Sequence, residues 1–145
     1  MSYLLDASTL LPLLLDYGEE LPKIVVKARI FALDLTLYEV GNSLWKLVTL
    51  QNALELSDAE DILYALKSLV RKNMIKIIGF DELNTTRVLQ IAVSEKLTFY
   101  DASYLAASEA VRAALVTEDM ELREKAGKYI EVVIGYRELK GRLQK

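Results

Sequence analysis

The 145-residue sequence predicts an α/β fold: a three-layer α/β/α sandwich with a central, mainly parallel sheet of four to five strands and a protruding helical hairpin. Short apolar runs alternate with longer stretches of helical periodicity, which is typical of a parallel sheet covered by helices on both faces. Two successive helical stretches with no strand between them predict the hairpin. With 52% hydrophobic residues, a chain of this length can fill one core, so we expect a single domain over residues 1–145.

The first half of the chain opens with a short extended apolar run that stops at Asp6. Gly18 and Pro22 interrupt the helical pattern that follows. Ser57, with Glu60 three residues later, predicts a capping box at the start of the second helix of the hairpin. We expect strands at 2–5 and 32–36 and helices at 9–17, 24–31, 37–52 and 57–72.

The second half repeats the alternation, beginning with the β-branched run IKIIGF, which is typical of a buried strand. An alanine-rich stretch and a terminal polar stretch both suit helices. We expect strands at 75–80, 114–117 and 130–134 and helices at 81–96, 100–113, 119–128 and from 136 onward.

The chain has no cysteine and no histidine, which excludes disulfides, thiol nucleophiles, Ser-His-Asp triads, imidazole bases and structural zinc sites. Acid-base or metal chemistry must therefore use carboxylates, hydroxyls, lysine, tyrosine or metal-bound water. The net charge of −3 argues against a protein that coats nucleic acid. It does not exclude a basic patch on one part of the surface. The leucine-rich start lacks a basic region and a membrane-length apolar run, so we expect a soluble, cytoplasmic protein.

Four acidic residues fall near the predicted ends of strands. Asp6 follows the first strand directly, Glu39 is expected in the first turn of the helix after the second strand, and Asp119 lies two residues past a late strand. Asp101 opens the alanine-rich helix just before that late strand. Because ligand sites of parallel sheets lie beyond the carboxyl ends of the strands, we expect the four carboxylates to converge there.

Four converging carboxylates repel one another and favour a bound cation. Oxygen ligands alone favour Mg²⁺ or Mn²⁺, with Ca²⁺ chemically possible. Such an ion activates water and stabilises charge on a phosphate, which makes phosphodiester hydrolysis the expected reaction.

Each acidic residue also has an ordinary structural explanation. Aspartate and serine at strand-to-helix junctions are common helix N-caps, and taken singly Asp6, Ser8, Asp101 and Asp119 favour that explanation. Glu39 shares a helical stripe with polar residues that is typical of a solvated face. The aromatic residues are expected in the core or at an interface rather than as platforms for RNA bases. These residues are Tyr38, Trp45, Tyr64, Phe99, Tyr100 and Tyr104. The hypothesis of an active site rests on the acidic residues as a set.

Four segments together resemble the motifs of PIN-domain nucleases in order and spacing, most closely those of VapC-type toxins of prokaryotic toxin–antitoxin pairs. They are LLDAS at 4–8, LTLYEVGNSLWK at 35–46, TFYDASYLAAS at 98–108 and LVTEDMEL at 115–122. The resemblance spans nearly the whole chain and implies a PIN-like fold. It makes Asp6, Glu39, Asp101 and Asp119 the acidic quartet that holds Mg²⁺ or Mn²⁺.

The resemblance also implies roles for neighbouring polar residues. Thr117 matches a hydroxyl that orients the site, and Ser8 stands where the family often has a small polar residue. Asn42 and Lys46 lie beyond Glu39 on the same helical face and are candidates for contact with the substrate phosphate. The acidic balance of the chain predicts few basic contacts with RNA, from residues such as Lys46, Lys72, Arg112 or Arg123.

The function that the resemblance implies is a metal-dependent endoribonuclease, the toxin of a type II toxin–antitoxin system. The implied partners are RNA, an antitoxin whose tail occupies the groove, and a second copy of the chain in a homodimer, with no membrane involved. Alternatives are a non-catalytic binding or assembly module and an RNA-processing nuclease that is not a toxin. A phosphatase is less well matched because Ser8 stands where a second aspartate is needed, and a phospho-receiver domain lacks its paired acids and late lysine.

Overall fold

The computed structural model describes residues 1–145 and contains a single sheet of five strands, all pairs of which are parallel. The strands are β1 (Ser2–Leu5), β2 (Arg29–Leu33), β3 (Ile75–Ile78), β4 (Ala114–Val116) and β5 (Val133–Ile134). Their order across the sheet is β3-β2-β1-β4-β5. Because every strand runs the same way, all the carboxyl ends meet at one edge of the sheet.

Eight helices cover the sheet, and two 3-10 turns, Gly18–Glu20 and Phe80–Glu82, lie between them. The helices are α1 (Ala7–Tyr17), α2 (Leu21–Val25), α3 (Asp34–Thr49), α4 (Leu56–Arg71), α5 (Thr85–Glu95), α6 (Phe99–Val111), α7 (Met120–Ala126) and α8 (Tyr136–Leu143). The consecutive helices α3 and α4 pack on each other and form the expected hairpin. No helix has both the length and the apolar character that crossing a membrane requires.

Alternating side chains of each strand build two cores, one on each face of the sheet. In β1, Tyr3 and Leu5 point into one core and Leu4 points into the other. Helices α1, α3, α4 and α8 contribute buried side chains to the first core, and α5, α6 and α7 contribute to the second. The three-layer α/β/α arrangement predicted from the sequence is therefore confirmed.

The largest error of the sequence prediction lies between residues 24 and 36. The predicted helix 24–31 is wrong because α2 ends at Val25 and Arg29–Leu33 forms β2. The segment is an inner strand of the sheet and pairs with both β1 and β3. This pairing buries Ile30 and Ala32 in one core and overrides the weak helical pattern of a short run. The predicted strand 32–36 consequently begins and ends three residues late.

The ends of several other elements differ from prediction because the caps are not where we expected them. The predicted capping box at Ser57 is wrong: α4 begins at Leu56, and Ser57 lies inside its first turn. Two side chains that do cap helices are Asn84 at α5 and Thr98 at α6, each of which accepts a backbone N–H at 3.1 Å. The predicted strands 75–80 and 130–134 shorten to Ile75–Ile78 and Val133–Ile134.

Candidate active site

The carboxyl edge of the sheet opens into a groove of about 450 Å³. The groove is lined by Asp6, Ala7, Ser8, Tyr38, Glu39, Asn42, Ser43, Lys46, Asp101, Tyr104 and Asp119. All four acidic residues singled out in the sequence line this groove, and they come from four different elements: the end of β1, helix α3, helix α6 and the start of α7. Glu39 lies in the second turn of α3 rather than the first, because that helix begins earlier than predicted.

Asp6 lies in the floor of the groove, 8% exposed, directly after β1. It occupies the N-cap position of α1, but its side chain accepts no hydrogen bond from the helix backbone, so the capping explanation is wrong for this residue. Its Oδ1 instead accepts a hydrogen bond from Ser8 Oγ at 2.5 Å, and its Oδ2 accepts one from Thr117 Oγ1. Burial and the nearby charge of Glu39 raise the pKa of Asp6, although the bonds from Ser8 and Thr117 oppose that rise.

Thr117 and Ser8 join the two central strand ends of the groove. The fully buried Thr117 hydroxyl donates to Asp6 and accepts the backbone N–H of Asp119 at 3.0 Å. Ser8 Oγ donates to Asp6 and accepts the backbone N–H of Glu118 at 3.0 Å, so Ser8 is not a helix cap either. These two hydroxyls tie the end of β1 to the loop after β4 and hold the Asp6 carboxylate in place.

Asp101 and Asp119 also line the groove. Asp101 is the third residue of α6, whose cap is Thr98 rather than Asp101. Burial raises the pKa of Asp101, and so do the charges of Asp119, Glu121 and Asp6. Asp119 caps α7, since its Oδ1 accepts the N–H of Leu122 at 2.9 Å. One oxygen of Asp119 thus has a structural partner while the residue still lines the groove.

Tyr104 lines the groove and the buried Thr36 contacts it, although the sequence analysis assigned neither residue to the site. Tyr104, expected in the core or at an interface, is buried in α6, and its hydroxyl donates to Glu39 Oε1 at 2.7 Å. It also lies 2.8 Å from Thr36 Oγ1. Tyr104 stands three residues after Asp101, on the same side of the helix, and this spacing is the only sequence signal that could have found it.

The residues of the groove fit a hydrated divalent cation. No three acidic side chains are already gathered into a set of ligands for one ion. However, all four groups are carboxylates, and like-charge repulsion contributes to raising the pKa of both Asp6 and Asp101. Mg²⁺ keeps several of its waters and needs only one or two direct carboxylates. A groove lined by spaced carboxylates has room for such an ion, and a cation would offset their mutual repulsion.

Few cationic groups accompany these acids. Of the four basic residues considered for RNA contact, only Lys46 lines the groove. Lys72 and Arg112 line other pockets, and Arg123 lies beside Glu118 and Gly135. Tyr38 also lines the groove and is 83% exposed, so of the two expected locations, core or interface, the core is wrong for it.

Comparison with known proteins identifies relatives over most of the chain. The family profile of the PIN domain matches residues 3–128. A protein of Pyrobaculum aerophilum named Exonuclease VapC9 is 34% identical over 132 residues, which is 91% of each chain. Ribonuclease VapC3 of the same organism is 30% identical over 128 residues, covering 86% of this chain and 95% of that protein.

Two solved structures share the fold. The crystal structure of PAE2754 from Pyrobaculum aerophilum superposes with a TM-score of 0.73 at 32% identity, covering 99% of this chain and 90% of that one. VapBC2 from Rickettsia felis, solved bound to a DNA fragment of its promoter, gives a TM-score of 0.59 at 14% identity, covering 92% and 97%. The second likeness concerns the fold alone.

Proposed function

Because the chain belongs to the PIN-domain family, we propose that it is a metal-dependent endoribonuclease that hydrolyses RNA phosphodiester bonds in the groove at the carboxyl edge of its sheet. The observation that carries the proposal is that carboxylates from four separate elements line this one groove. The names of two relatives, one an exonuclease and one a ribonuclease, support nuclease chemistry. Cleavage within the RNA chain rather than from its end is our own assignment.

We assign Asp6, Glu39, Asp101 and Asp119 as the residues that hold Mg²⁺ or Mn²⁺. When bound, the ion supplies an activated water and charge neutralisation at the phosphate. The protein positions the ligands. Ser8 and Thr117 hold the Asp6 carboxylate by hydrogen bonds, and the same Thr117 hydroxyl accepts the backbone N–H of Asp119. This division of work suits a chain without histidine, which has no imidazole to serve as a general base.

RNA binding has to overcome the negative charge of the groove. Lys46 is the one lysine that lines it, and we assign to Lys46 a contact with a substrate phosphate. Asn42, one turn before Lys46, is exposed and supplies an amide on the same face. The exposed ring of Tyr38 is placed to stack on a base, which contributes about 1–3 kcal/mol without requiring positive charge.

The Lys46→Ala variant should bind RNA more weakly without slowing the chemical step. We expect KM to rise about tenfold and kcat to change less than about twofold, because the lost phosphate contact acts on bound substrate and transition state alike. The slope of the logarithm of RNA affinity against the logarithm of salt concentration should become shallower by about one, as expected for the loss of one phosphate contact. Steady-state kinetics at several salt concentrations measure all three quantities.

Lys67→Ala is the matched control, since it removes the same charge from an exposed position of α4 outside the groove. Equal effects of the two variants would show that net charge, and not a groove contact, holds the RNA.

A covalently closed circular RNA is the most informative substrate for the proposed activity. An endonuclease converts the circle to a linear product in Mg²⁺ or Mn²⁺, whereas an exonuclease leaves it intact and digests only a linear control. A non-catalytic module would bind the ion or RNA and cleave neither form. An intact circle beside a digested linear RNA would overturn the endonuclease assignment while keeping the nuclease.

We further propose that the chain is a cytoplasmic toxin that acts as a homodimer and is held inactive by an antitoxin protein. The VapC names of both relatives support the toxin role, and exposed apolar side chains of α4, such as Leu63 and Tyr64, support self-association. Induced expression in a bacterial host should arrest growth, and Asp6→Asn should relieve the arrest. Growth unaffected by an active enzyme would favour RNA processing, and a monomeric mass in sedimentation would exclude the dimer.

A further inference from the structure

A chain of hydrogen bonds runs from the backbone of β2 to the carboxylate of Glu39. The N–H of Leu33 donates to Thr36 Oγ1 at 3.0 Å, Thr36 Oγ1 lies 2.8 Å from the Tyr104 hydroxyl, and that hydroxyl lies 2.7 Å from Glu39 Oε1. Thr36 and Tyr104 are buried, with exposed fractions of 0% and 2%. The chain therefore connects the end of β2 to the groove through groups shielded from water.

The direction of each bond follows from the inventory of donors. An ionised carboxylate only accepts, so the single proton of the Tyr104 hydroxyl is donated to Glu39. Tyr104 must then accept from Thr36, whose own oxygen accepts from Leu33. Every donor in the series points toward Glu39, and charge-assisted bonds of this kind are stronger and shorter than neutral ones.

We propose that Tyr104 is a positioning residue, whose hydroxyl holds one oxygen of Glu39 and leaves the other available to a divalent cation in the groove. This inference rests on the proposed function, because it assigns Glu39 to the ion. Glu39 is half-buried, and a glutamate side chain has several rotatable bonds whose freedom is lost when it binds an ion. Fixing Oε1 beforehand lowers that cost.

A purely structural role is the competing explanation, since a buried tyrosine hydroxyl usually needs some partner. The two explanations differ in what Tyr104→Phe changes. A structural hydroxyl affects the stability of the fold and leaves cation affinity alone. A positioning hydroxyl affects cation affinity, and it does so only while Glu39 is present.

The test is a double-mutant cycle with Mn²⁺ as the probe, measured from the electron paramagnetic resonance signal of the free ion. We expect Tyr104→Phe to weaken Mn²⁺ binding about tenfold, the lower end of the effect of losing a partner behind a metal ligand. In the Glu39→Ala background, Tyr104→Phe should alter Mn²⁺ affinity by less than about twofold, because the Glu39 carboxylate that the Tyr104 hydroxyl positions is absent. Thermal unfolding in EDTA reports the structural contribution separately.

Tyr129→Phe is the matched control. The Tyr129 hydroxyl also donates to a glutamate, Glu95 Oε2 at 2.8 Å, but neither residue lines the groove. We expect it to leave Mn²⁺ affinity unchanged. Thr36→Val is a second variant, which keeps the Tyr104 hydroxyl and removes its donor. It should weaken Mn²⁺ binding less than Tyr104→Phe does.

Mn²⁺ affinity that is unchanged in folded Tyr104→Phe, or lowered equally with and without Glu39, would overturn the inference alone. If Tyr104→Phe does not fold, unchanged affinity in Thr36→Val overturns it. Failure of the wild-type protein to bind Mn²⁺ would remove the ion from the proposed function and the inference with it. Mn²⁺ binding without any RNA cleavage would contradict the proposed function and leave the role of Tyr104 at the cation site standing.

Discussion

Asp6→Asn should reduce the rate of RNA cleavage by more than about 100-fold while the protein stays folded. Losing a residue that only supports a metal ligand already costs about 10–100-fold, and Asp6 is assigned as a ligand itself. Asparagine keeps the size of the side chain and one carbonyl oxygen, so Ser8 still has an acceptor. Single-turnover cleavage of a labelled RNA in saturating Mg²⁺ measures the effect on the reaction.

The same substitution should make the metal-free protein slightly more stable at neutral pH. The pKa of Asp6 is raised by burial and by Glu39, so the folded state holds its proton more tightly than the unfolded state does. The protonated carboxyl therefore favours folding, and this contribution is lost as the pH rises through the folded-state pKa. Asparagine avoids the loss, so its advantage should shrink as the pH falls into the acid range. Thermal melts in EDTA across that range test the sign.

Asp16→Asn is the control that should move in the opposite direction. Hydrogen bonds from Tyr136 and Lys140 lower the pKa of Asp16, so its charged form favours folding. Asp16 lies outside the groove, and its substitution should not affect cleavage.

A cleavage rate of the Asp6→Asn variant within about tenfold of the wild-type rate would contradict the assignment of Asp6 to the active site.

Thr117→Val should impair both the fold and the reaction. Its buried hydroxyl donates a hydrogen bond to Asp6 and accepts one from the backbone N–H of Asp119. Valine leaves that N–H without a partner. A buried polar group without its hydrogen bond costs about 1–3 kcal/mol, which denaturant unfolding in EDTA will detect. Because Asp6 and Asp119 each lose a hydrogen bond that holds them in place, we also expect cleavage to slow by about 10–100-fold at saturating Mg²⁺.

Thr117→Ser provides the control, because serine restores the hydroxyl and removes only a methyl group. It should recover most of the cleavage rate, although the small cavity will lower stability somewhat. If valine and serine reduce cleavage equally, the methyl group and not the hydroxyl supports the site.

The sandwich and the acidic quartet were accessible from the sequence because both depend on local pattern. Apolar runs of strand length and helical stretches alternate clearly, and each acidic residue stands at or near a strand end or helix start. The four motifs added order and spacing to this pattern, which the family profile supports over residues 3–128. The four acidic residues that the pattern marked all line the groove.

The errors arise where tertiary contacts decide the structure. Residues 29–33 form a strand because two neighbouring strands pair with them, and that pairing is not encoded in the local pattern. The role of Tyr104 depends on contacts across 65 and 68 residues of chain, to Glu39 and to Thr36. The Asp6 side chain departs from its common capping role because Thr117, 111 residues away, provides a donor.

The most direct test of the central claim measures Mn²⁺ binding and RNA cleavage on the same samples of wild-type protein and of the Asp6→Asn/Asp101→Asn double variant. We predict that wild-type cleavage rises with Mn²⁺ in parallel with occupancy and stops in EDTA, and that the double variant loses both binding and cleavage. Cleavage that persists in EDTA, or that survives in the double variant, would contradict an active site in which these carboxylates hold the ion.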